Sequence, residues 1–408
     1  MIGVITARYL GPSNYGIISY VSSIVAFALP IMQLGLKNTL VKEFVQMPSQ
    51  EGKTLGTALI INIISSVFCM IGSVSFVALV NAGEKDTITV CALYSLTLLF
   101  QATEMTQYWF QSKLLSKYPS MAALVAYIVG ALYKIYLLIT NKGIVWFAVS
   151  NVIDYFLISI ILLVIYKRVG GQKLSVDWRL GRELLSRSKY YIIPGLMVII
   201  FQHTDRIMIR LMVDEAETGF YSAAITCIGI SSFVFTAIID SARPVILEAK
   251  EHDHALYERR VIQLYSAVTI LSLLQSIVMT LLAKPIVYIL YGTDYLPAAG
   301  ILAVAVWYIT FGHFGSVRNI WILAEEKQKH LTGINVAGAT ANVLLNLVLV
   351  PVWGAVGAAV ASVITQFFTN VVIGFIYKPI KRNNYLMLRS FSFKIWKETF
   401  CAILHRSR

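Results

Sequence analysis

The chain has 408 residues, of which 57% are hydrophobic and only 13% are charged, and its mean hydropathy is +0.71. Soluble domains carry about 25% charged residues, so this composition excludes an ordinary soluble protein and is typical of a polytopic α-helical membrane protein. The net charge of +13 does not indicate nucleic-acid binding, because membrane proteins concentrate Lys and Arg on their cytoplasmic side.

Eleven long apolar stretches predict the membrane spans, because a helix needs about 20 apolar residues to cross a bilayer. The stretches are residues 14–36, 54–80, 87–110, 118–140, 143–166, 190–213, 219–242, 261–283, 297–320, 331–351 and 353–377. Residues 1–9 are too short to cross, and the Gly and Pro that follow them indicate a turn. We interpret residues 1–9 as the end of a truncated first helix.

The loops between these stretches differ in their content of Lys and Arg. Alternate loops, together with the C-terminal tail, hold 26 of these cations, whereas the loops on the opposite side hold 4. Cytoplasmic loops of membrane proteins are enriched in Lys and Arg, so the first set is predicted to be cytoplasmic. The loops of the second set are short and are predicted to lie outside.

The predicted spans form two groups separated by the basic, hydrophilic residues 167–189. We predict a truncated N-terminal helical bundle over 1–166, a cytoplasmic linker over 167–189 and a six-helix bundle over 190–377. A weak internal repeat, in which residues 16–19 resemble residues 219–222, supports two equivalent halves. The predicted fold class is therefore all-α, with two pseudo-symmetric helical bundles around a central cavity.

Residues 378–408 are predicted to form a basic cytoplasmic tail. Phe393, Trp396, Phe400 and Ile403 recur at helical spacing, as in a helix that lies in the membrane interface. A disordered tail of the same composition explains the pattern equally well, and both interpretations stay open at this point.

The sequence contains no convincing enzyme signature. It has no GxxxxGK[ST] phosphate-binding loop, no GxSxG and no HExxH. The four cysteines show no paired spacing, and the pair His252 and His254 has no nearby Cys or clear acidic set. We therefore predict a transporter without a cofactor or a metal site, rather than an enzyme.

Residues 190–213 are the most informative span because they are apolar yet carry His203, Asp205, Arg206 and Arg210. A charge at the centre of a membrane helix costs about 2.5 to 3.5 kcal/mol, so these side chains are expected to face protein or water. His203, Arg206 and Arg210 fall within an arc of roughly 60° on one helix face. Two guanidinium groups one turn apart suit a phosphate or carboxylate, although a purely structural role also stays open.

Five further charges lie within the predicted spans. Lys134 and Asp154 are placed to form either a structural ion pair or part of a cavity. Glu104, Asp240 and Arg318 lie near predicted cytoplasmic ends, where side chains that reach back to water are as good an explanation as function. Asp205 points about 100° away from the Arg206 face and is a candidate partner for a neighbouring helix.

Several short segments carry a resemblance to a known family. They are Arg8-Tyr9-Leu10-Gly11-Pro12 with Tyr15-Gly16, Leu34-Gly35-Leu36, Asp205 with Gly219, Tyr221 and Ala223, Leu290-Tyr291-Gly292 with Tyr295, and Asn342, Asn346 and Pro351 before Gly354-Ala355-Val356-Gly357-Ala358-Ala359. Each segment is weak alone, but their order spans nearly the whole chain. In this the sequence resembles the Wzx-type polysaccharide flippases of the multidrug/oligosaccharidyl-lipid/polysaccharide exporter superfamily. It departs from their pattern in the missing start of the first helix.

The resemblance implies a multi-pass protein of the bacterial cytoplasmic membrane. Such a flippase moves undecaprenyl-pyrophosphate-linked oligosaccharide across the membrane by alternating access, for O-antigen, capsule or exopolysaccharide synthesis. In that picture Arg206, Arg210 and Arg318 bind the anionic part of the substrate. His203, Asp205, Asp154, Lys134, Glu104 and Asp240 are candidates for the cavity or for coupling to protons or sodium. Expected partners are the lipid-linked oligosaccharide, membrane lipid and other polysaccharide assembly proteins, with no nucleic acid.

Three alternatives remain open at the level of sequence. An ion-coupled exporter of cationic drugs predicts acidic residues in the cavity, whereas here acids and bases within the spans are equal in number. A lipid II flippase explains the same cations and differs in substrate. A polymerase or ligase of the same pathway is a membrane enzyme with a long external loop, and no predicted outer loop here is long.

Overall fold

A computed structural model of the chain describes residues 2–392 and Trp396. Within these residues the secondary structure is helical throughout, and no strand is formed. The prediction of an all-α fold is confirmed. The part of the predicted interfacial helix that depends on Phe393, Phe400 and Ile403 lies outside the described residues.

Seventeen α-helices follow one another in the described part of the chain, joined by short turns and 3₁₀ segments. They are α1 (Ile2–Gln33), α2 (Lys37–Gln46), α3 (Glu51–Val80), α4 (Lys85–Gln101), α5 (Met105–Ser112), α6 (Lys117–Ile139), α7 (Ile144–Arg168), α8 (Trp178–Ser188), α9 (Ile192–Met212), α10 (Glu215–Gly229), α11 (Ser232–His252), α12 (His254–Leu281), α13 (Ala283–Tyr291), α14 (Ala298–Ala324), α15 (Leu331–Phe367), α16 (Ile373–Ile376) and α17 (Lys381–Arg389).

Nine helical segments of the described residues are long and apolar enough to cross a membrane, or ten if the bent pair α10 and α11 forms one span. The predicted span 219–242 corresponds to that pair, which bends by 44°. The predicted spans 331–351 and 353–377 run together as one segment, Gln328–Ile376, with a break at Gly354. Whether this segment crosses once or twice depends on that break, so the number of eleven spans stays a prediction.

Two glycines break long helices, Gly11 in the turn that the sequence predicts and Gly354 just inside the predicted span 353–377. Gly11 interrupts α1 with φ 76°, and Gly354 interrupts α15 with φ 56°. Backbone with positive φ is costly for residues that have a Cβ, so glycine allows these breaks. Residues 1–9, predicted as a truncated first helix, are helical from Ile2 and run into the break at Gly11.

By its internal contacts the chain divides into two compact units, the first being Met1–Ile207 and the second beginning at Met208. In the first unit α3 packs on α1 and α4, and α7 packs on α4 and α6. Its core is apolar and centres on large buried side chains such as Tyr20, Phe110 and Phe147.

In the second unit α14 is the central helix and packs against α10, α12 and α15. Its buried face includes Phe314, Val317 and Trp321, which join the apolar cluster that also holds Tyr265 of α12. Helix α14 therefore contributes a large part of the apolar core of this unit.

Residues 167–189, predicted as a linker, contain α8 and are fixed to the start of α3. The Gln172 amide nitrogen donates to the Pro48 carbonyl at 2.8 Å, and the Gly52 N–H donates to the Gln172 side-chain oxygen at 3.0 Å. A Cβ at Gly56 would clash with the Ser175 carbonyl, so the close approach requires glycine there. The contact-based division falls at Ile207 instead of within this segment, and the bundle limits 1–166 and 190–377 stay a prediction.

Candidate substrate site

His203 on α9 is held by a hydroxyl from α1. Its Nδ1 lies 3.2 Å from the Ser23 Oγ, and this buried hydroxyl donates to the Ser19 carbonyl at 2.7 Å. Because the Ser23 proton is used in that bond, the hydroxyl oxygen accepts from His203, which places the imidazole proton on Nδ1. Nε2 is then left as the acceptor nitrogen of the ring.

Arg206 lies one turn further along α9 and next to this imidazole. Its Nη1 donates to the Gln202 carbonyl at 3.3 Å and lies 3.5 Å from the His203 Nδ1. The side chain is half-buried. The first unit therefore places a guanidinium, an imidazole and a serine hydroxyl together on apolar membrane helices.

Arg210 belongs to the second unit and is nearly buried, with its side chain 10% exposed. Its Nη1 lies 3.6 Å from a Glu215 carboxylate oxygen at the start of α10. Asp214 caps α10 by accepting from the Glu217 N–H at 2.7 Å. The ion pair therefore links the end of α9 to the acidic first turn of α10, and Glu215 partly neutralises the charge of Arg210.

The remaining predicted site residues fall into separate places. Asp205 is buried, with 5% exposure. Lys134 and Asp154 form an ion pair between α6 and α7 at 3.6 Å, with about a quarter of each side chain exposed. This is the ion pair that the sequence offered as one of two interpretations.

Glu104 and Asp240 lie in less constrained surroundings. Glu104 is half-buried in the 3₁₀ turn between α4 and α5. Asp240 is exposed on α11 and pairs with Arg243 at 3.1 Å on the same helix face. Exposed pairs of this kind contribute about 0 to 1 kcal/mol, so Asp240 is not fixed by burial.

Arg318 is almost fully buried, with 3% exposure, and binds backbone in place of a carboxylate. Its Nη1 donates at 2.7 Å to the carbonyl of Thr369, which lies in the π-helical turn Phe368–Val372. A π-helical turn disrupts the regular i to i−4 bonds, so an added donor stabilises a carbonyl there. This hydrogen bond gives Arg318 a structural task beside the substrate role predicted for it.

Sequence reasoning missed the small polar residues that support these groups. Ser19 and Ser23 are buried beside His203, and Tyr265 donates at 3.0 Å to Asn383 beneath α14. The signal was weak, because single serines, tyrosines and asparagines within apolar runs are common. Across residues 2–392 and Trp396 no group of three His, Cys, Asp or Glu residues is arranged to hold a metal ion.

The sequence of this chain matches a known protein family. The family model described as polysaccharide biosynthesis protein matches residues 5–300. The chain belongs to this polysaccharide biosynthesis protein family. The family membership agrees with the resemblance to polysaccharide flippases that the short sequence segments carry.

Among curated proteins, an uncharacterized membrane protein of Methanocaldococcus jannaschii is 25% identical over 231 residues, which cover 53% of this chain. The matched region covers 45% of that relative, so the similarity spans about half of its length.

Solved structures share the fold over almost the whole chain. A lipid II flippase, MurJ, in an inward closed conformation has a TM-score of 0.70 at 14% identity, and 99% of this chain and 92% of that chain are covered. An inward-facing multidrug resistance MATE transporter of the MOP superfamily has a TM-score of 0.68 at 13% identity, with 94% of each chain covered. A MOP superfamily transporter from Pyrococcus furiosus, reported to have a binding pocket of reverse polarity, has a TM-score of 0.56 at 14% identity and covers 94% and 91%. These similarities show that the chain shares the fold of these transporters and of this flippase.

Proposed function

We propose that this protein is a flippase that moves undecaprenyl-pyrophosphate-linked oligosaccharide across the bacterial cytoplasmic membrane by alternating access. The observation that carries the proposal is the position of Arg206 beside His203 on α9, a helix whose residues 192–201 are all apolar or Gly and Pro. A guanidinium is costly in a lipid environment, so its presence there calls for an anionic or hydrated partner. Family membership in polysaccharide biosynthesis gives that partner a chemical class.

The chemistry of the substrate explains why a protein is needed. A sugar hydroxyl that enters hydrocarbon without a partner costs about 2 to 7 kcal/mol, so an oligosaccharide requires a polar path. The lipid tail, in contrast, remains soluble in the bilayer. Arginine forks donate bidentately to phosphate oxygens, so Arg206 and Arg210 suit the pyrophosphate or an acidic sugar.

The other candidate residues differ in the contacts that they already make and that a substrate would have to replace. Glu215 shares the charge of Arg210, so a substrate phosphate at Arg210 would compete with this carboxylate. Arg318 would have to exchange its bond to the Thr369 carbonyl for a substrate oxygen. His203 is the candidate for coupling to protons or sodium, because its Nε2 is left to bind a proton while Ser23 holds the Nδ1 side of the ring.

A lipid II flippase is the second candidate function, and the fold similarity to the MurJ lipid II flippase at a TM-score of 0.70 favours it. Lipid II carries the same polyprenyl pyrophosphate, so the cationic residues do not discriminate between the two substrates. The sugar part is the difference that an experiment must measure. If the protein is an oligosaccharide flippase, we expect it to act together with other polysaccharide assembly proteins.

The test is a flipping assay with purified protein in proteoliposomes, using a fluorescent lipid-linked oligosaccharide, lipid II and a cationic dye in separate arms. We expect translocation of the lipid-linked oligosaccharide and a loss of at least about tenfold in rate for Arg206→Ala/Arg210→Ala, since each guanidinium–phosphate contact contributes about 1.5 to 3 kcal/mol. Arg206→Lys should retain part of the rate because the charge remains.

The matched control is Arg382→Ala, which removes a half-exposed arginine of α17 from an ion pair with Glu258, and neither residue is a candidate site residue. It should transport at the wild-type rate. Full transport by the double variant would reject the anion site while leaving the flippase function intact. Transport of lipid II or of the cationic dye in place of the oligosaccharide would reject the proposed substrate.

A further inference from the structure

An apolar groove runs along the first unit between α1 and α3 and ends at α8. Its walls include Phe27 and Ile31 of α1 and Ile64, Phe68 and Gly72 of α3, and its volume is about 750 Å³. Small-molecule sites in proteins occupy roughly 300 to 1,000 Å³, so the groove has the size of a binding site. Among the described residues that line it, none is charged.

The end of the groove at α8 has a different chemistry. Trp178, the first residue of α8, lines the groove and is 62% exposed, as is typical of tryptophan at a membrane interface. Arg182 follows four residues later, so it lies on the same helix face as Trp178 and is also exposed. The side of α8 that carries Gly181 packs on α3, where Gly181 faces Thr57 and Ile61.

We infer that this groove is a binding site for an anionic phospholipid, with an acyl chain between α1 and α3 and the phosphate at Arg182. The neighbouring side chains select this occupant, since the groove is apolar along the membrane helices and Arg182 lies one turn beyond Trp178 at its α8 end. The nearby carboxylates are engaged elsewhere, because Asp177 caps α8 and Glu183 pairs with Arg187. An extended peptide would leave its backbone hydrogen bonds unsatisfied in such a groove, whereas an acyl chain has none to satisfy. This site goes beyond the proposed transport function and does not depend on it.

The groove contains two features that make the inference testable. Gly72 has no atom within 4 Å of a Cβ placed on it, so a large side chain at this position enters the groove without a clash at its base. Cys69 also lines the groove and is partly exposed, while Cys91 and Cys227 are buried. With Cys401 replaced by serine, the alkylation of Cys69 reports occupancy at this site.

The experiment measures the rate at which a lipid-soluble maleimide alkylates Cys69 in delipidated, detergent-solubilised protein titrated with phosphatidylglycerol or with phosphatidylcholine of the same acyl chains. We expect both lipids to protect Cys69, and phosphatidylglycerol to do so at about fivefold lower concentration, the equivalent of about 1 kcal/mol for one cation. Arg182→Gln should abolish this preference. Arg179→Gln, on a different face of the same helix, should keep it.

A variant that fills the groove distinguishes lipid binding in the groove from lipid binding elsewhere on the protein. We follow its lipid binding by native mass spectrometry, because the new ring itself covers Cys69. Gly72→Phe should lower the affinity for phosphatidylglycerol by about tenfold, since the ring occupies space that the acyl chain needs. Gly300→Phe, which places the same ring at an exposed site on α14 with open space around its Cβ, should bind as the wild type does.

Three results would overturn the inference. They are unchanged affinity in Gly72→Phe, a phosphatidylglycerol preference that survives in Arg182→Gln, and protection of Cys69 by undecaprenyl phosphate at lower concentration than by phosphatidylglycerol. The last result would assign the groove to a polyprenyl lipid. Size-exclusion profiles identical to the wild type show that each variant is folded before its affinity is interpreted.

Discussion

Lys250 on α11 and Glu325 just after α14 form a hydrogen-bonded ion pair in the second unit. About a quarter of each side chain is exposed, so the pair is shielded from water more than a surface pair is. Burial opposes ionisation of Glu325, but the hydrogen bond and charge of Lys250, with the charge of Lys327, outweigh it. The pKa of the Glu325 carboxyl therefore lies below its ordinary value of 4.5.

This lowered pKa predicts a loss of stability in acid. A carboxyl whose pKa is lower in the folded protein stabilises the fold above its ordinary pKa, and this contribution is lost as the pH falls through the folded value. The melting temperature of the wild type in detergent should therefore fall below about pH 4.5 more steeply than that of Glu325→Gln. At pH 7 the variant should be less stable, by about 1 kcal/mol or less.

Glu251→Gln is the control for this measurement, because Glu251 is an exposed carboxylate on the same helix as Lys250. Its acid profile should follow the wild type. If Glu325→Gln also follows the wild type below pH 4.5, the ion pair does not contribute to stability in the way inferred.

Single residues in the candidate site were predictable to the extent that charge stands out in an apolar run. His203 and Arg206 were predicted to share a helix face, and they lie 3.5 Å apart. The Thr369 carbonyl that Arg318 binds could not be predicted, because it depends on a π-helical turn distant in sequence. Charge therefore identified the candidates and the Lys134–Asp154 pair, but not a backbone partner such as the Thr369 carbonyl.

At the scale of helices, the break in α15 is secured by a residue from another helix. The N–H of Ala355, immediately after Gly354, donates at 3.0 Å to the Glu217 carboxylate of α10. This amide is the first of a new helical stretch and has no partner within its own helix. A carboxylate there also interacts favourably with the helix dipole. Glu217 thus acts as an N-cap provided from another element.

We predict that Glu217→Ala loosens the start of the second half of α15. Removal of a capping acceptor costs about 0.5 to 2 kcal/mol, so amide hydrogen exchange at residues 355–358 should become faster. The exchange rate in Glu217→Gln should lie between those of the wild type and Glu217→Ala, because the amide oxygen still accepts a hydrogen bond while the charge is lost. Hydrogen–deuterium exchange followed by mass spectrometry measures both effects locally.

Glu251→Ala is the control for general effects of removing an acidic side chain, and it should leave exchange in this segment unchanged. Gly354→Ala should raise exchange in the same peptides, because φ 56° is unfavourable for alanine. Wild-type exchange in Glu217→Ala would show that the cap is dispensable.

The helices were predictable where the length of an apolar stretch sets their bounds. They were less predictable where contacts between helices decide a bend or the path of a loop. The predicted spans 54–80 and 143–166 correspond closely to α3 and α7, Glu51–Val80 and Ile144–Arg168. The bend between α10 and α11 was not predicted, because no proline or charged residue marks it within residues 219–239. The ordered packing of residues 172–177 on α3 was also hidden, since a hydrophilic composition resembles that of a free linker.

For the whole molecule, composition was enough to predict a helical membrane protein, because the shortage of charged residues leaves few other possibilities. Membership of the polysaccharide biosynthesis family and the shared fold of MOP transporters agree with this class. The substrate could not be predicted in the same way, because the fold is shared by proteins as different as a lipid II flippase and a multidrug resistance transporter.

The distribution of cations predicts how the helices are oriented in the membrane. With 26 Lys and Arg residues in one set of loops and 4 in the other, the cation-rich set should be cytoplasmic. We test this with single cysteines at exposed positions, after replacing the four native cysteines by serine. Arg179→Cys and Lys329→Cys should react with a membrane-impermeant maleimide after permeabilisation of the cells and not before. Lys142→Cys and Asp294→Cys, in turns at the opposite helix ends, should react in intact cells. Labelling of Arg179→Cys or Lys329→Cys in intact cells would contradict the predicted orientation.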